Sequence, residues 1–405
     1  MSKRSLYPHQ LKTVKEAPDK WSLFFRQRVG KTPTAIRLAC SRAKSALIIS
    51  PKSVVSHWHR EIEVWKEGDC TFNIQSREQF RKLWDTLPKA DYVCVDEVHA
   101  HFANYKNQAF KALMAYLKKW NPKCIFLLTG TPVPSSHWAV YSYGMILGKK
   151  WPWYSWRIKF DIPVRMGARI IYLPKPKMDK ELQTIIRKIG TVIDLKDVAD
   201  VPEDEDIIET FSLNAKQKIL IKESFDPLPI VRFSFQHQLE QGVKKGNGYE
   251  PTISFECDKD KRLLEIVKDT EKIIVVCRYH DQINKYYELF KSLNRNVYKI
   301  SGQEKLTASE VSVQAENDPT AIVIVQGDTC LGYSLKSFNV MVFASMSFSF
   351  VNLDQLKFRM KAMEKTTPCQ YIYLLTEGKS VDRGIYNSVI KKQDFSLELF
   401  SKENL

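Results

Sequence analysis

No run of eighteen uncharged apolar residues occurs in the 405-residue chain, which argues against a single helix spanning a bilayer. The opening Met1-Ser2-Lys3-Arg4-Ser5 is not followed by the apolar stretch of a secretory signal, so a cytoplasmic location without a membrane partner is the expectation. None of the eight cysteines stands in a C-x-x-C spacing, and several, such as Cys94 and Cys277, fall inside apolar runs that read as buried strands. That pattern excludes a zinc finger and predicts reduced, buried thiols. Acidic residues are also in deficit, with 46 Asp and Glu against 62 Lys and Arg for a net charge of +16. A chain this basic is suited to a polyanion, nucleic acid foremost. No nuclease or methylase constellation is present to add a second chemistry.

Short β-branched runs alternate with longer helix-like segments, the pattern of a parallel sheet with crossover helices. Strands are predicted over 22–25, 46–50, 92–95 and 125–129, and again over 272–277, 297–300, 321–326, 340–344 and 370–375. The fold expected is α/β, with two RecA-like domains, each a parallel sheet with flanking helices. The first spans 1–150 and the second 251–405, joined over 151–250 by a mixed helical and hairpin connecting region. That connection holds an aromatic knot (Trp151, Trp153, Tyr154, Trp156), a hairpin turning at Met166-Gly167, a helix over 180–190 and the acidic run 203–206. The aromatics read as packing between a helix and a domain surface, and the acidic run as a solvated linker. Lys244-Lys245-Gly246-Asn247-Gly248 reads as a loop leading into the second domain.

Gly30-Lys31-Thr32 follows an apolar strand and opens a helical segment with Pro33 in its first turn. That context suits a phosphate loop, in which Val29, Gly30, Lys31 and Thr32 hold ATP, Lys31 reaches the β- and γ-phosphates, and the Thr32 hydroxyl binds Mg²⁺. The full pattern would place glycine at position 25, where this chain has Phe25. Downstream, Val93-Cys94-Val95-Asp96-Glu97-Val98-His99 sets two acids at the end of a hydrophobic strand. Asp96 then serves Mg²⁺ and Glu97 polarises the attacking water. His99 and His101 lack further ligands at zinc spacing.

In order along the chain, these segments resemble the motifs of superfamily 2 helicases, and within them the Swi/Snf-like translocases, including compact phage-encoded members. Leu6-Tyr7-Pro8-His9-Gln10 is similar to the adenine-reading Q motif, Ile49-Ser50-Pro51-Lys52-Ser53 with His57-Trp58 to motif Ia, and Asp96-Glu97-Val98-His99 to a DEAH box. Thr129-Gly130-Thr131-Pro132 is similar to motif III, Val276-Cys277-Arg278-Tyr279-His280 to motif IV, Gly332-Tyr333-Ser334-Leu335 to motif V, and Gln355 with Arg359 to motif VI. Lys196-Asp197-Val198 with Val201-Pro202 is similar to the bridge between domains.

The resemblance implies that Tyr7, Gln10 and Gln355 join the ATP site, that Thr129 and Thr131 couple it to the domain interface, and that Lys52, His57, Arg278, Gly302 and Thr329 touch the nucleic-acid backbone. Gln355 and Arg359, four apart on a predicted helix, share a face, and Arg359 becomes the arginine finger in the cleft between the domains. The family's second arginine is replaced by Ala362. The implied activity is an ATP-dependent translocase or helicase acting on DNA, with duplex or branched forms favoured. Phe25 and Ala362 motivate a different class, a slow or non-hydrolysing ATP-gated clamp on nucleic acid or a protein partner, and an RNA helicase is a further alternative.

Overall fold

Apolar runs dominated by Val, Ile, Leu and Phe have no polar face to offer water, so they become strands covered on both sides. The computed structural model describes residues 5–391 apart from 135, 167–168, 176–177, 224–227, 247–250 and 330–331. The turn expected at Gly167, the loop residues Asn247 and Gly248, and Cys330 lie outside the described residues. Two compact units divide the chain at residues 199 and 200.

In the first unit the strands are β1 (Lys20–Phe25), β2 (Ser45–Ser50), β3 (Thr71–Ser76), β4 (Tyr92–Val95), β5 (Cys124–Leu128), the pair β6 (Asp161–Met166) and β7 (Arg169–Pro174), and β8 (Gly190–Ile193). Among the described residues, six of them form a parallel sheet in the order β3-β2-β4-β5-β1-β8, while β6 and β7 make an antiparallel hairpin. Helices cover the sheet with apolar stripes. The helix Gln108–Trp120 buries Ala109, Phe110, Ala112, Leu113, Tyr116 and Leu117, one face at helical spacing. Asn107 caps its start by accepting from the Ala109 N–H at 2.6 Å. Each large side chain buried this way contributes about 1.5–3 kcal/mol.

The second unit contains β9 (Glu205–Phe211), the short antiparallel pair β10 (Val243–Lys244) and β11 (Ile253–Ser254), then β12 (Ile273–Cys277), β13 (Val297–Ile300), β14 (Ile322–Gln326), β15 (Val340–Phe343) and β16 (Gln370–Thr376). Its parallel sheet runs β13-β14-β12-β15-β16-β9. Two parallel six-stranded sheets with flanking helices realise the RecA-like architecture expected from the alternation of segments.

The acidic run is exposed to solvent, as expected, but its second half is a strand and not a linker. Glu205 and Asp206 open edge strand β9, Asp204 pairs with Lys361 at 2.6 Å, and Asp206 pairs with Lys357 at 2.7 Å. Charged side chains at a sheet edge blunt it against further pairing, so an acidic strand is at home there. The stretch 151–250 is shared between the units, with β8 closing one sheet and β9 the other. The aromatic knot is divided too. Trp156 is buried and stacks on Trp151 with ring centroids 4.9 Å apart, whereas Trp153 and Tyr154 remain exposed.

Candidate functional site

In the first unit, β1, β4 and β5 end side by side, and the segments leaving their C-terminal ends carry the chemistry, as open parallel sheets arrange ligand sites. Phe25 is the fully buried last residue of β1. Glycine is not needed there because the chain is still extended; the left-handed turns come later, at Arg28 (φ +69°) and Gly30 (φ +89°). Gly30 is required twice over, since an added Cβ would also lie 1.8 Å from Gln10 Nε2. Lys31 and Thr32 then begin the helix Lys31–Arg42. The Lys31 ammonium donates to the Phe25 carbonyl at 3.0 Å, folding back across the loop it follows.

Gln10 stands in the first turn of the helix Pro8–Glu16 and is buried. Its Oε1 accepts from the Tyr7 N–H at 2.8 Å, and its Nε2 donates to the carbonyls of Val29 at 3.3 Å and Gly30 at 3.4 Å. In this arrangement the amide holds the phosphate loop. Tyr7 is exposed and lies parallel to the His9 ring, with centroids 6.0 Å apart.

Two groups tie the loop to the segment after β5. Arg26 Nη1 donates to the Gly130 carbonyl at 3.3 Å. Gln27 packs so closely on Gly130 that an added Cβ there would come 2.7 Å from its Oε1. The Gln27 side chain is buried, yet neither amide atom has a hydrogen-bond partner among the described residues. A buried amide costs about 1–3 kcal/mol when unpaired, so one placed in a phosphate loop is suited to a polar ligand. With the helix start beside it, the residues present fit a nucleoside triphosphate.

Asp96 and Glu97 leave the end of β4 together. One Asp96 oxygen accepts from Trp58 Nε1 at 2.8 Å and the other from the Glu97 N–H at 2.9 Å. Burial first, and then the Glu97 charge, push the Asp96 carboxyl up to about 6, against the pull of the Trp58 bond and the Lys31 charge. The Lys31 contribution shows that the two halves of the site share one electrostatic environment. Glu97 takes the left-handed conformation at φ +45° and is buried. His99 Nδ1 lies 3.2 Å from Glu97 Oε2 and 2.8 Å from Thr129 Oγ1, which in turn accepts from the Thr131 N–H at 2.9 Å. With its proton on Nδ1, His99 donates to Thr129 Oγ1, with Glu97 Oε2 alongside. The structure therefore brings Lys31, Thr32, Asp96, Glu97, Thr129 and Thr131 to one edge.

Sequence reasoning missed Gln27, the links made by Trp58 and His99, and Arg77. Arg77 starts the helix after β3, two of its guanidinium nitrogens are buried without a partner among the described residues, and its charge acts on Glu78, Asp96 and Glu97. Burial lowers its pKa. Its reach comes from a long side chain crossing neighbouring strand ends, which no local pattern encodes.

The Asp96 shift carries a pH prediction. A carboxyl that stays protonated up to about 6 when folded, against 3.8 as its ordinary value, stabilises the protein fully below the lower figure and loses that contribution as pH rises through the upper one. Mg²⁺ held at Asp96 would require the ionised form and would have to displace the proton. Below about pH 6 the Mg²⁺-dependent part of ATP affinity should fall by about tenfold per pH unit. Isothermal titrations compared with Asp96→Asn isolate this group, and equal acid limbs in the two proteins would contradict the assignment.

In the second unit Arg278, Gly302 and Thr329 follow the ends of the adjacent strands β12, β13 and β14. Arg278 pairs with Asp328, and its guanidinium lies 5.0 Å from the centre of the Phe348 ring. Asp328 also accepts from Ser347 at 2.6 Å and Asn352 at 3.0 Å. The Gly302 N–H donates to Gln326 Oε1 at 3.3 Å, and nothing lies within 4 Å of a Cβ added at Gly302. In the first unit Lys52 is exposed just beyond β2, with half-buried His57 in the helix Val55–Trp65.

The shared helical face of Gln355 and Arg359 is corrected. The helix Phe350–Lys357 ends before Arg359, whose own N–H turns back to Leu356 O at 2.9 Å. Gln355 is buried, while the Arg359 guanidinium donates to the carbonyls of Tyr333 at 2.9 Å and Gln355 at 3.1 Å. Lys365 is buried and caps three backbone carbonyls, and Lys361 is paired with Asp204. Ala362 is also buried, in irregular chain beyond that helix. Ala362→Arg would force a guanidinium into the core, and thermal unfolding should show a loss of about 3 kcal/mol or more. An unchanged midpoint would show that position 362 opens to solvent.

No family model matches the chain, and no curated protein does. Among solved structures it is similar to the Sulfolobus solfataricus SWI2/SNF2 ATPase core in complex with dsDNA. The identity is 18%, covering 99% of this chain and 93% of that one, with a TM-score of 0.44.

Proposed function

We propose that the chain is a nucleic-acid-stimulated ATPase that moves along or remodels DNA, with duplex or branched forms as the track. The observation that carries this reading is the convergence of the Lys31 loop with the buried Asp96–Glu97 pair at one edge of a parallel sheet. Lys31 neutralises charge on the β- and γ-phosphates, and the helix start and Gln27 hold the phosphate oxygens. Thr32 and Asp96 hold Mg²⁺, which supplies charge neutralisation of the phosphates when bound. Glu97 orients water and takes its proton. His99, between Glu97 and Thr129, positions the base and connects it to Thr131. The net charge of +16 supports a polyanionic track held mainly through phosphates, with little sequence preference and steep salt dependence. Arg278, Gly302 and Thr329, gathered at one sheet edge, are the contacts proposed in the second unit.

An ATP-gated clamp is the second reading, favoured by the engagement of Arg359 with its own unit's carbonyls. In the motor reading, Arg359 leaves those carbonyls to act as the finger. Triplex displacement separates the two. A motor expels a third strand from duplex DNA in the presence of ATP and not of a non-hydrolysable analogue, whereas a clamp binds the same DNA and leaves the triplex intact.

A further inference from the structure

A separate groove lies in the first unit, beyond the residues assigned to ATP. The chain from 103 to 106, the segment after Thr131, the helix Trp138–Ile146, the helix Trp153–Phe160 and β7 enclose a groove of about 470 Å³. Its size falls within the ~300–1,000 Å³ of small-ligand sites. The sequence explains how it arises. On the helix Trp153–Phe160, Trp156 enters the core against Trp151, while Trp153 at the helix start faces the groove and stays 38% exposed.

The groove has aromatic walls and a positive rim. Trp138 and Trp153 are stacked with centroids 6.0 Å apart, and Tyr105 lies 5.6 Å from Trp138. Trp153 Nε1 donates to the Tyr105 hydroxyl at 2.8 Å, which fixes the ring orientation. The Arg157 guanidinium lies over the Tyr172 ring and 4.8 Å from that of Trp153, and the Lys106 ammonium lies 5.6 Å from the Tyr105 ring. The lining carboxylate, Asp161, is already engaged. His137 Nδ1 accepts from Trp156 Nε1 at 3.0 Å, which leaves Nε2–H to donate to Asp161 at 2.7 Å in the core.

The Arg157 guanidinium lies over both the Trp153 and the Tyr172 ring, and the nearby anion is hydrogen-bonded to His137, so a planar aromatic ligand that carries negative charge could take the place of the guanidinium against the rings and draw it out as a counter-charge. A nucleotide has that chemistry, but in a duplex its base faces are covered by stacking. We infer that this groove binds an unpaired nucleotide of DNA, with the base replacing the Arg157 guanidinium against Trp153 and Tyr172 and the displaced guanidinium meeting the adjoining phosphates together with Lys106. This rests on the nucleic-acid reading above and deepens it, because the preferred substrate then combines a duplex with an unpaired strand, as at a fork, flap or overhang. The groove is lined by residues that follow the Asp96–Glu97 turn and the Thr129–Pro132 segment, so the ligand would bind to the chain directly beyond two elements of the ATP site.

The test is fluorescence anisotropy on the full chain with three labelled probes: a blunt duplex, the same duplex with a twelve-nucleotide thymidine overhang, and that duplex with an abasic overhang of equal length. Wild type should bind the base-bearing overhang about tenfold tighter than the abasic one. Trp153→Ala and Tyr172→Ala should each weaken the base-bearing probe by about 5- to 100-fold, while leaving the blunt and abasic probes unchanged. Trp153→Phe, which keeps a ring, should retain most of the affinity, and Arg157→Gln should weaken both overhangs. Equal affinity for base-bearing and abasic overhangs overturns the inference, as does wild-type binding by both alanine variants or an equal loss on all three probes. Failure to bind any of the three DNAs would remove the nucleic-acid reading itself, whereas blunt-duplex binding without base preference removes only the groove.

Discussion

Replacing Lys31 with alanine is expected to abolish ATP hydrolysis while leaving the protein folded. The Lys31 ammonium is poised at the loop, 3.0 Å from the Phe25 carbonyl, and its charge reaches Asp96. Exchanging one carbonyl contact for phosphate oxygens requires only a side-chain movement at the start of a rigid helix. Loss of a fixed positive charge on the transferring group removes transition-state stabilisation worth about two to three orders of magnitude or more. The backbone cradle does not depend on that side chain, so the thermal midpoint should change little. Turnover at saturating ATP within about twofold of wild type would remove the site from this edge of the sheet.

Glu97→Gln should give the second large effect. Glutamine keeps the size and acceptor oxygen of the side chain, so the contact with His99 and the left-handed backbone at position 97 can persist. What disappears is the carboxylate that takes a proton from water, and turnover should fall by about 10²- to 10⁴-fold with ATP still bound. A second readout distinguishes this from misfolding. The Glu97 charge helps to raise the Asp96 carboxyl, so its removal should shift the acid limb of Mg²⁺-dependent ATP binding to lower pH. Collapsed nucleotide affinity with normal turnover per bound ATP would show that Glu97 holds the ligand instead of activating water.

The central strands were legible because burial on both faces writes continuous apolar runs, as in Ile273–Cys277 and Ile322–Gln326. Of the edge strands only β13, Val297–Ile300, was legible. β3 reads Thr-Phe-Asn-Ile-Gln-Ser, β8 has four residues, and β9 starts with two acids, so each lacks the signature that burial imposes. The motif residues of the phosphate loop and the acidic turn were found because their backbone context is local. The side-chain network around them was hidden. Gln27 meets Gly130 and Trp58 meets Asp96 only after strands distant in sequence have been aligned. Helical spacing misplaced Arg359 because a turn ends the helix at Lys357, with Arg359 then held by the Tyr333 carbonyl. The aromatic knot was half legible: composition signalled packing, which Trp151 and Trp156 supply, but could not reveal that Trp153 points the other way.

Phosphate release at saturating ATP and low salt, measured with and without duplex DNA on the same protein sample, shows whether DNA drives the ATPase. Release should be slow without DNA, rise by about tenfold or more on adding it, and lose that rise as salt screens the phosphate contacts. ATP turnover that is the same with and without DNA, or undetectable in both while ATP binds, would contradict a nucleic-acid-stimulated ATPase.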